Sequence, residues 1–319
     1  MTQFGQYAAP SHVIAHLSDT HFLAADARGD PRALYGSIDT HRNLRRALEQ
    51  LERSQTNPAA IVFTGDLADL GEHDAYRSLR QIVEPAADRM GSTVIWVMGN
   101  HDERLRFATD LYDEPPGTDA SPRPQDRVHD IGGLRIIAFD STVPGYHHGD
   151  MTPQQLDWLA NELDTPAIHG TLLALHHPPI PTPIDLMALL ELRGQARLAE
   201  VIRGTDVRGI LAGHLHYATH SSFAGVPVSV AAATCYTMDL SAPDRSLSGI
   251  DGGQSFNLIQ VYEDQVVHSV VPMGDYPVVS GFSADFVEKM AALSSQQRLE
   301  IFSNKASTIT AADVEGGRT

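Results

Sequence analysis

Groups that can bind metal ions follow five separate apolar segments of this chain. Each segment ends in a turn that carries carboxylate, imidazole or amide groups, which are ligands for divalent and trivalent cations. In chain order these groups are Asp19 and His21, Asp66, Asn100 and His101, His176 and His177, and His214 and His216. Aspartate, asparagine and histidine are also common turn formers, so each position alone carries little weight. Five such positions, with D-x-H and H-x-H spacings among them, predict a site for two metal ions and hence a dinuclear metal hydrolase.

A site for two metal ions needs an anionic oxygen between the cations, which lie roughly 3.5 to 4 Å apart and repel each other. Asp66 is the predicted bridge, because its short carboxylate directly follows a glycine at a turn. Gly65, Gly99 and Gly213 each precede a predicted ligand, where a missing Cβ leaves room for the site. One metal is assigned Asp19, His21 and one histidine of the pair His214 and His216, and the other metal is assigned Asn100, His176 and the second histidine of that pair.

Short strand-like segments precede these residues, and helical patterns lie between them. The predicted strands are residues 12–17, 60–64, 94–98, 134–139, 171–175 and 209–211. The predicted helices are residues 40–53, 72–89, 152–163 and 185–203, the third with Thr152 as N-cap, Pro153 at the first helical position and Gln155 as partner in a capping box. Because strands and helices alternate, the sequence predicts an α/β fold with ligands at the carboxyl ends of the strands.

Three later segments, residues 227–232, 256–262 and 266–271, follow one another with no room for helices. They predict an antiparallel addition, so that the sheet is mixed or doubled. Residues 113–127 are rich in proline and charge and predict a surface loop. A last helix is predicted at residues 284–293, with Phe286, Met290 and Leu293 on its packing face. The predicted organisation is a flexible N-terminus at residues 1–11, a main domain at 12–275 and a C-terminal extension at 276–319.

Composition and charge argue against a nucleic-acid-binding protein. The chain has 40 acidic residues against 23 of Lys and Arg, and its formal net charge of -17 repels a phosphate backbone. The single cysteine, Cys235, excludes an intrachain disulfide and fits a reducing compartment. No apolar stretch reaches the roughly 18 residues of a membrane span, and the N-terminus lacks the features of a signal peptide. We therefore expect a cytoplasmic protein without stable membrane insertion.

The ordered motifs D-x-H, G-D-x-x-D, G-N-H-D, H and G-H-x-H resemble those of the calcineurin-like metallophosphoesterase superfamily. This resemblance covers residues 17–216, and it is specific because all five motifs occur in order. The surrounding sequences HLSDTH, LYGSIDT, IVFTGDLAD, VMGNHD, STVPGYHHG, LALHHPPI and ATCYT are similar to those of the class III cyclic nucleotide phosphodiesterases, the mycobacterial branch above all. The closer similarity extends to about residue 272.

The resemblance implies a role for each matching residue. Asp66 bridges two metals, of which the first is also bound by Asp19, His21 and His216, and the second by Asn100, His176 and His214. His101 lies over the substrate phosphate, oriented by Asp69, and these two residues form the implied catalytic pair. The implied contacts to substrate come from Asn100, His101 and His216.

The same resemblance implies a fold, cofactors and an assembly. The implied fold is the four-layer metallophosphoesterase fold, an α/β architecture in which a mixed β-sandwich is flanked by helices, and it fills the main domain. Two metal ions per chain are implied, iron or manganese, with zinc as the alternative. The implied partners are a small nucleotide substrate and further copies of the chain, as a homodimer or a higher homo-oligomer.

Departures from sibling families narrow the choice of activity. Purple acid phosphatases carry a metal-binding tyrosine three residues after the bridging aspartate, where this chain has Asp69. Protein serine/threonine phosphatases have arginine after that second aspartate and read G-N-H-E, whereas Leu70 and Asp102 stand here. Nucleases of the superfamily usually add a capping domain and a basic surface, which this acidic chain does not offer. These relatives are therefore disfavoured.

Several further polar residues lie close to the motifs. The histidine pair at residues 147–148 is predicted to face solvent, with substrate contact as the alternative. His177 and Asp102 are predicted to orient the ligands, because metal-bound groups need such partners. Cys235 and Tyr236 are predicted to pack at a strand end, with a place in the pocket lining as the alternative.

The resulting hypothesis is hydrolysis of 3′,5′-cyclic AMP, and of related cyclic nucleotides, to the 5′-nucleotide. Two metals lower the pKa of a bridging water and direct the resulting hydroxide at the phosphorus, in line with the leaving oxygen. His101 is the proton donor for the 3′ alkoxide, which is a poor leaving group. Two alternatives stay open. One is a broad phosphodiesterase or phosphomonoesterase for 2′,3′-cyclic nucleotides or phospholipid head groups, and the other is a metal-binding scaffold without catalysis.

Overall fold

The computed structural model describes residues 3–115, 123–243 and 246–315. It divides into two compact units. The larger unit spans Ser11–Gly274, and the smaller combines Met1–Pro10 with Asp275–Thr319. The predicted domain boundaries of 12–275 and 276–319 stay predictions as functional divisions. Among the helices of the described residues, none is both long and apolar enough to cross a lipid bilayer.

The larger unit contains two β-sheets that together supply the parallel strands of the predicted α/β fold. The first sheet has five strands in the spatial order β13 (Val266–Pro272), β12 (Ser255–Val261), β1 (His12–Leu17), β2 (Ala60–Thr64) and β3 (Thr93–Val97). β1, β2 and β3 are parallel, and β12 joins β1 in antiparallel register with His16 opposite Asn257. β13 is antiparallel to β12. The predicted antiparallel addition is therefore confirmed for these two strands.

The second sheet has six strands. Their spatial order is β4 (Arg127–Ile131), β5 (Leu134–Phe139), β6 (Thr171–Leu175), β7 (Val207–Ala212), β9 (Val226–Val230) and β8 (Thr219–Phe223). β5, β6, β7 and β9 are parallel, and the two edge strands are antiparallel to their neighbours. The segment predicted at residues 227–232 thus lies in this second sheet, parallel to β7 and antiparallel to β8, and it does not join β12 and β13 in one antiparallel addition as expected. A short hairpin pairs β10 (Thr237–Met238) with β11 (Gly249–Ile250).

Helices cover the outer faces of both sheets. The helices of the larger unit are α1 (Thr40–Arg53), α2 (His73–Met90), α3 (Arg104–Tyr112), α4 (Pro153–Leu163) and α5 (Gln195–Ile202). α1 begins where the Asp39 carboxylate accepts a hydrogen bond from the Arg42 N–H, and Leu44, Leu48 and Leu51 form its buried face. The predicted capping box of α4 is present, because Thr152 and Gln155 bond each other's backbone reciprocally.

Alternating side chains divide the apolar core into three layers. In β1, Ile14 lies between the two sheets, where it packs in one cluster with Ile136 of β5 and Leu172 of β6. Its neighbours Ala15 and Leu17 face the other way, into the cluster that includes α1 and α2. A third cluster lies between the second sheet and the helices α4 and α5. The chain therefore forms four layers in the order helix, sheet, sheet, helix, and the predicted fold class is confirmed.

The helix predicted at residues 185–203 is wrong in its first half. Met187–Leu190 is a single 3₁₀ turn, and α5 begins only after Gly194, which has a left-handed φ of 68°. Between them the chain is extended, with Leu192 bridged to Gly149 and the Arg193 N–H donating to the Gly149 carbonyl at 2.8 Å. Pairing with a distant loop therefore overrides the local helical pattern.

Three elements of the larger unit have no clear signal in the sequence. β4 and β8 are edge strands with half-exposed polar side chains, and their neighbours β5 and β9 fix their register. Glu103 is the N-cap of α3, and its carboxylate accepts hydrogen bonds from the N–H groups of Leu105 and Arg106. The loop predicted at residues 113–127 ends one residue earlier than predicted, because Arg127 begins β4. Residues 116–122 of this loop lie outside the described part of the chain.

The smaller unit is mainly helical after residue 283. Its helices are α6 (Ala284–Ala292), α7 (Ser295–Arg298) and α8 (Ala311–Glu315), with a π-helical segment at Leu299–Ser303. Phe286 and Met290 of α6 pack with Ile301 and Val314 in a small core, and Leu293 lies against it. The predicted packing face of this helix is therefore confirmed.

Candidate metal centre

The predicted ligands meet because the carboxyl ends of strands from both sheets lie at one edge of the sandwich. β1 leads to Asp19 and His21, β2 leads to Asp66, and β3 leads to Asn100 and His101. From the second sheet, β6 leads to His176 and β7 leads to His214 and His216. Five of the ten described non-glycine residues with a positive φ are among these side chains, namely Asp19, His21, Asp66, His214 and His216. Such conformations cost free energy and cluster at functional sites.

Two glycines allow the ligand loops to approach each other closely. A Cβ on Gly99 would lie 2.0 Å from the backbone nitrogen of Asp66, and a Cβ on Gly213 would lie 1.9 Å from Ser18 Oγ. No side chain fits at either position without moving a ligand loop. The glycines predicted to make room for the site therefore do so.

A first group of ligands surrounds one point between β1, β2 and β7. The ligand atoms of Asp19, His21, Asp66 and His216 all lie within 4.8 Å of one another, and all four residues are buried. His216 Nε2 is 3.3 Å from Asp19 Oδ1, and His21 Nε2 is 3.5 Å from Asp66 Oδ2. This group holds the residues predicted for the first metal.

The hydrogen bonds that these histidines make through Nδ1 leave both inward-facing Nε2 atoms without a proton when the imidazoles are neutral. His21 Nδ1 donates to Asp69 Oδ1 at 2.9 Å, and His216 Nδ1 donates to the Tyr236 carbonyl at 3.1 Å. In the neutral imidazoles the two Nε2 atoms therefore carry lone pairs, yet they lie only 3.2 Å apart. Two facing lone pairs repel each other unless a cation lies between them. A histidine that binds a metal through one ring nitrogen usually donates the other ring N–H to a carboxylate or a carbonyl, as both of these histidines do.

A second group lies on the other side of Asp66. His176 Nδ1 donates to the Thr64 carbonyl at 2.7 Å, so in the neutral imidazole Nε2 carries the lone pair, and it faces Asp66 Oδ2 at 3.3 Å and Asn100 Oδ1 at 3.1 Å. His214 Nε2 is buried and has no hydrogen-bond partner among the described residues. Its ring centre is 5.0 Å from that of His176. A buried His214 Nε2 without a hydrogen-bond partner in the described part of the chain, close to the inward-facing Nε2 of His176, fits the ligand set predicted for the second metal.

His177 lies in the same group, but its ring nitrogens form hydrogen bonds to other residues. Its Nδ1 is 2.9 Å from Ser141 Oγ, and its Nε2 is 3.2 Å from the His147 carbonyl. Both ring nitrogens are therefore engaged in hydrogen bonds, which agrees with the prediction of an orienting residue. No sequence pattern marks Ser141 as a partner of the site, because a lone Ser after a strand gives no distinctive signal.

The charges of the group require cations. The pKa of Asp66 is held well below its usual value because His176 outweighs the effect of burial, and His216 likewise lowers the pKa of Asp19 to about 2. Burial lowers the pKa of His176, but the carboxylates of Asp66 and Asp19 outweigh burial and raise it to about 9. Buried ionised carboxylates are stable only beside positive charge, which protons or metal ions can supply.

His101 differs from the other histidines in its exposure and in its partner. Its side chain is 29% exposed, and its Nδ1 donates to the backbone carbonyl of Asp69 at 2.8 Å. The Asp69 carboxylate is 3.6 Å away and accepts instead from His21. Asp69, the residue expected to orient His101, therefore contacts it through its backbone carbonyl. Burial lowers the pKa of His101, but nearby Asp66 and Asp69 more than offset it, so the pKa is raised.

The loop at residues 143–148 reaches the second group. His147 Nδ1 accepts a hydrogen bond from Asn100 Nδ2 at 2.9 Å, and this contact turns Asn100 Oδ1 toward His176. The His147 ring is also 5.0 Å from the His101 ring. The exposed histidine that the sequence placed mainly in solvent thus lies beside the site.

Asp102 joins the loops that follow β2 and β3. Its Oδ1 accepts from the N–H groups of Leu67 and Ala68 at 3.1 and 3.0 Å and from the Tyr76 hydroxyl at 3.0 Å. Its Oδ2 accepts from the Gly99 N–H at 2.8 Å. The carboxylate therefore fixes the backbone on both sides of Asp66 and next to Asn100, in line with the orienting role predicted for it.

Asp102→Asn should weaken metal binding by about 10- to 100-fold, the usual effect of losing such a partner. The amide keeps the size of the carboxylate, but its NH₂ group would face backbone donors that it cannot satisfy. Metal affinity measured by competition with a chelator checks this expectation. Asp157→Asn, at an exposed position of α4, is the matched control and should leave the affinity unchanged. Equal affinities for the two variants would remove Asp102 from the support of the site.

Comparison with known proteins agrees with this geometry. The sequence profile of the calcineurin-like phosphoesterase family matches residues 12–218 of this chain. The chain belongs to this family. The match ends shortly after His216, so it contains all the predicted ligands, and the resemblance inferred from the motifs is confirmed.

Two curated relatives of the family are similar over most of the chain. A cAMP/cGMP dual specificity phosphodiesterase of Mycobacterium tuberculosis is 53% identical over 87% of this chain and 84% of its own length. A probable cyclic nucleotide phosphodiesterase of Rhodococcus erythropolis is 51% identical over 86% of this chain and 88% of its own length. Among solved structures, a dimetal phosphatase from Danio rerio covers 83% of this chain and 98% of its own with a TM-score of 0.57. Its 17% sequence identity limits that similarity to the fold.

Proposed function

We propose that this chain is a metal-dependent phosphodiesterase that hydrolyses 3′,5′-cyclic AMP, and related cyclic nucleotides, to the 5′-nucleotide. The observation that carries the proposal is the pair of ligand groups on either side of Asp66, with His101 at their exposed edge. The activity named for the Mycobacterium tuberculosis relative supports the choice of substrate, because it is 53% identical to this chain.

The residues that would bind two metal ions follow from the two groups. Asp66 would bind both ions, the first together with Asp19, His21 and His216, and the second together with Asn100, His176 and His214. When bound, such ions polarise a phosphoryl oxygen and lower the pKa of a water molecule, which becomes the nucleophile. The nitrogen and oxygen ligands suit iron, manganese or zinc, and we propose iron or manganese as the native pair.

His101 would transfer the proton that the reaction needs. Its Nδ1 is committed to the Asp69 carbonyl, so the exchangeable proton of the cationic ring at Nε2 is free to reach substrate. The His101 ring is 4.8 Å from that of His21 and is partly exposed, which supports a position at the substrate side of the ligands. From there it would contact the phosphate and protonate the departing 3′ oxygen, with Asn100 and His216 as the other side chains beside the phosphate.

A substrate panel tests the proposal and separates it from the alternatives. Protein loaded with manganese is assayed on cyclic AMP, cyclic GMP, 2′,3′-cyclic AMP, a phospholipid head-group diester and bis(p-nitrophenyl) phosphate. We expect the highest kcat/KM among the natural substrates for a 3′,5′-cyclic nucleotide, with the 5′-nucleotide as product. A much higher value for 2′,3′-cyclic AMP or the head-group diester would assign the broad activity, and no hydrolysis of any substrate would indicate a scaffold.

We propose that the protein is a homodimer or a higher homo-oligomer and that it is located in the cytoplasm. Sedimentation equilibrium of the full chain measures the assembly, and a single species at the monomer mass of 34.6 kDa would contradict it.

A further inference from the structure

One exposed aromatic side chain lies beside the first ligand group. Tyr35 is 72% exposed and has a left-handed φ of 50°, which is rare and costly for a bulky residue. Its turn is closed by two backbone hydrogen bonds of 2.9 Å, which Leu34 and Ile38 exchange. The turn therefore holds a large aromatic ring in solvent on a strained backbone, an arrangement that is typical of functional positions.

The turn is anchored to the same small core as the ligand loops. Leu34 and Ile38 are buried together with Leu23, Ala233 and Cys235. Leu23 comes two residues after His21, and Cys235 precedes the residue whose carbonyl binds His216. The position of Tyr35 is thus fixed relative to the metal ligands through buried contacts.

Tyr236 connects Tyr35 to the ligand group. The Tyr236 ring centre is 4.5 Å from that of His216 and 5.5 Å from that of Tyr35, with the two tyrosine rings edge to face. Tyr236 also packs closely against Gly249, where even a Cβ would lie 2.8 Å from the ring. Tyr236 is therefore held in place, and its contact supports the exposed ring of Tyr35.

We propose that Tyr35 stacks on the base of the nucleotide substrate, with Tyr236 as its positioning residue. This inference rests on the proposed function. A phosphate bound beside Asn100, His101 and His216 would leave its ribose and base to extend away from the buried ligands. Tyr236 lies against His216, and the exposed ring of Tyr35 lies against Tyr236, so Tyr35 offers an aromatic surface on the His216 side of the site. Stacking on an aromatic ring tolerates any purine, so it would serve cyclic AMP and cyclic GMP alike.

A second exposed tyrosine provides the alternative to be tested. Tyr146 is 62% exposed and lies in the loop that also carries His147, on the side of Asn100. Its ring contacts His148, and its backbone is held by one turn hydrogen bond, to Val143. The Tyr146 loop is also tied to the site, through the hydrogen bond of His147 to Asn100. The geometry favours Tyr35 because its ring contacts Tyr236, which itself lies against the ligand His216, whereas the Tyr146 ring contacts His148.

The experiment compares ligands with and without a base. Inhibition constants of 5′-AMP and ribose 5-phosphate are measured on the manganese-loaded full chain, together with KM and kcat for cyclic AMP, in wild type, Tyr35→Ala, Tyr35→Phe and Tyr146→Ala. A stacked base contributes roughly a 5- to 150-fold gain in affinity. We expect Tyr35→Ala to weaken 5′-AMP binding and raise KM for cyclic AMP within that range, while metal content and ribose 5-phosphate binding stay unchanged. Tyr35→Phe should behave as wild type.

Three results would overturn the proposal. Tyr35→Ala could leave 5′-AMP binding unchanged, it could weaken both inhibitors equally, or Tyr146→Ala could produce the loss that is expected of Tyr35→Ala. The proposed function is tested separately by the wild type: if it hydrolyses bis(p-nitrophenyl) phosphate but no cyclic nucleotide, the proposed function fails and the stacking role fails with it.

Discussion

Asp66→Ala is expected to abolish hydrolysis and to leave at most one metal ion per chain. The carboxylate of Asp66 stands between the two ligand groups, 3.5 Å from His21 Nε2 and 3.3 Å from His176 Nε2. Without it, two cations would face each other with no anion to screen their repulsion. Metal analysis of the purified variant, together with turnover of cyclic AMP, measures both effects.

Asp66→Asn refines this expectation, because the amide keeps the size and removes the charge. It should lose nearly as much activity as Asp66→Ala. Asp88→Asn, at an exposed position of α2, is the matched control and should retain two metals and full turnover. If either Asp66 variant kept two metals and near wild-type turnover, Asp66 would not be the bridge.

His101→Ala is expected to lose about 10²- to 10⁴-fold in kcat on cyclic AMP while both metals are retained. His101 donates its backbone N–H to Asp66 Oδ1 at 2.8 Å, and alanine keeps that bond while it removes only the ring. The loss reflects the missing proton donor, because a 3′ alkoxide leaves poorly without a proton. Turnover and metal content of the same preparation check the two halves of the expectation.

Bis(p-nitrophenyl) phosphate provides the control for this role, because nitrophenolate departs without a proton. The variant should therefore lose much less on this substrate than on cyclic AMP. Equal losses on both substrates, with metals retained, would assign His101 to phosphate binding alone. Loss of a metal would make it a structural member of the site.

The strands of the layered fold were predictable because local sequence dominates there. Buried parallel strands read as short apolar runs, and β1, β2, β5 and β6 have the predicted boundaries. The half-exposed edge strands β4 and β8 lack that signal, since pairing with a neighbour stabilises them. The helix predicted at residues 185–203 fails at residues 191–193 for the same reason. This segment is held extended by its long-range pairing with Gly149.

Within the site, the sequence identified the chemical groups but not their arrangement. Local reasoning could not say which histidine of the pair at 214 and 216 belongs to which ligand group, because the answer depends on how β7 lies against β1 and β6. The structure places His216 with His21 and His214 with His176. The contact of His147 with Asn100 and the hydrogen bonds from four donor groups to Asp102 are also long-range or depend on loop geometry that no local pattern reveals.

The central claim is that two bound metal ions make this chain a cyclic nucleotide phosphodiesterase. The most direct test removes metal with a chelator and returns manganese in steps, while bound metal and cyclic AMP hydrolysis are measured on the same sample. We expect hydrolysis to rise with occupancy and to reach its maximum only when two ions are bound per chain. Full hydrolysis by metal-free protein or at one bound ion, or two bound ions without any hydrolysis of cyclic AMP, would contradict the claim.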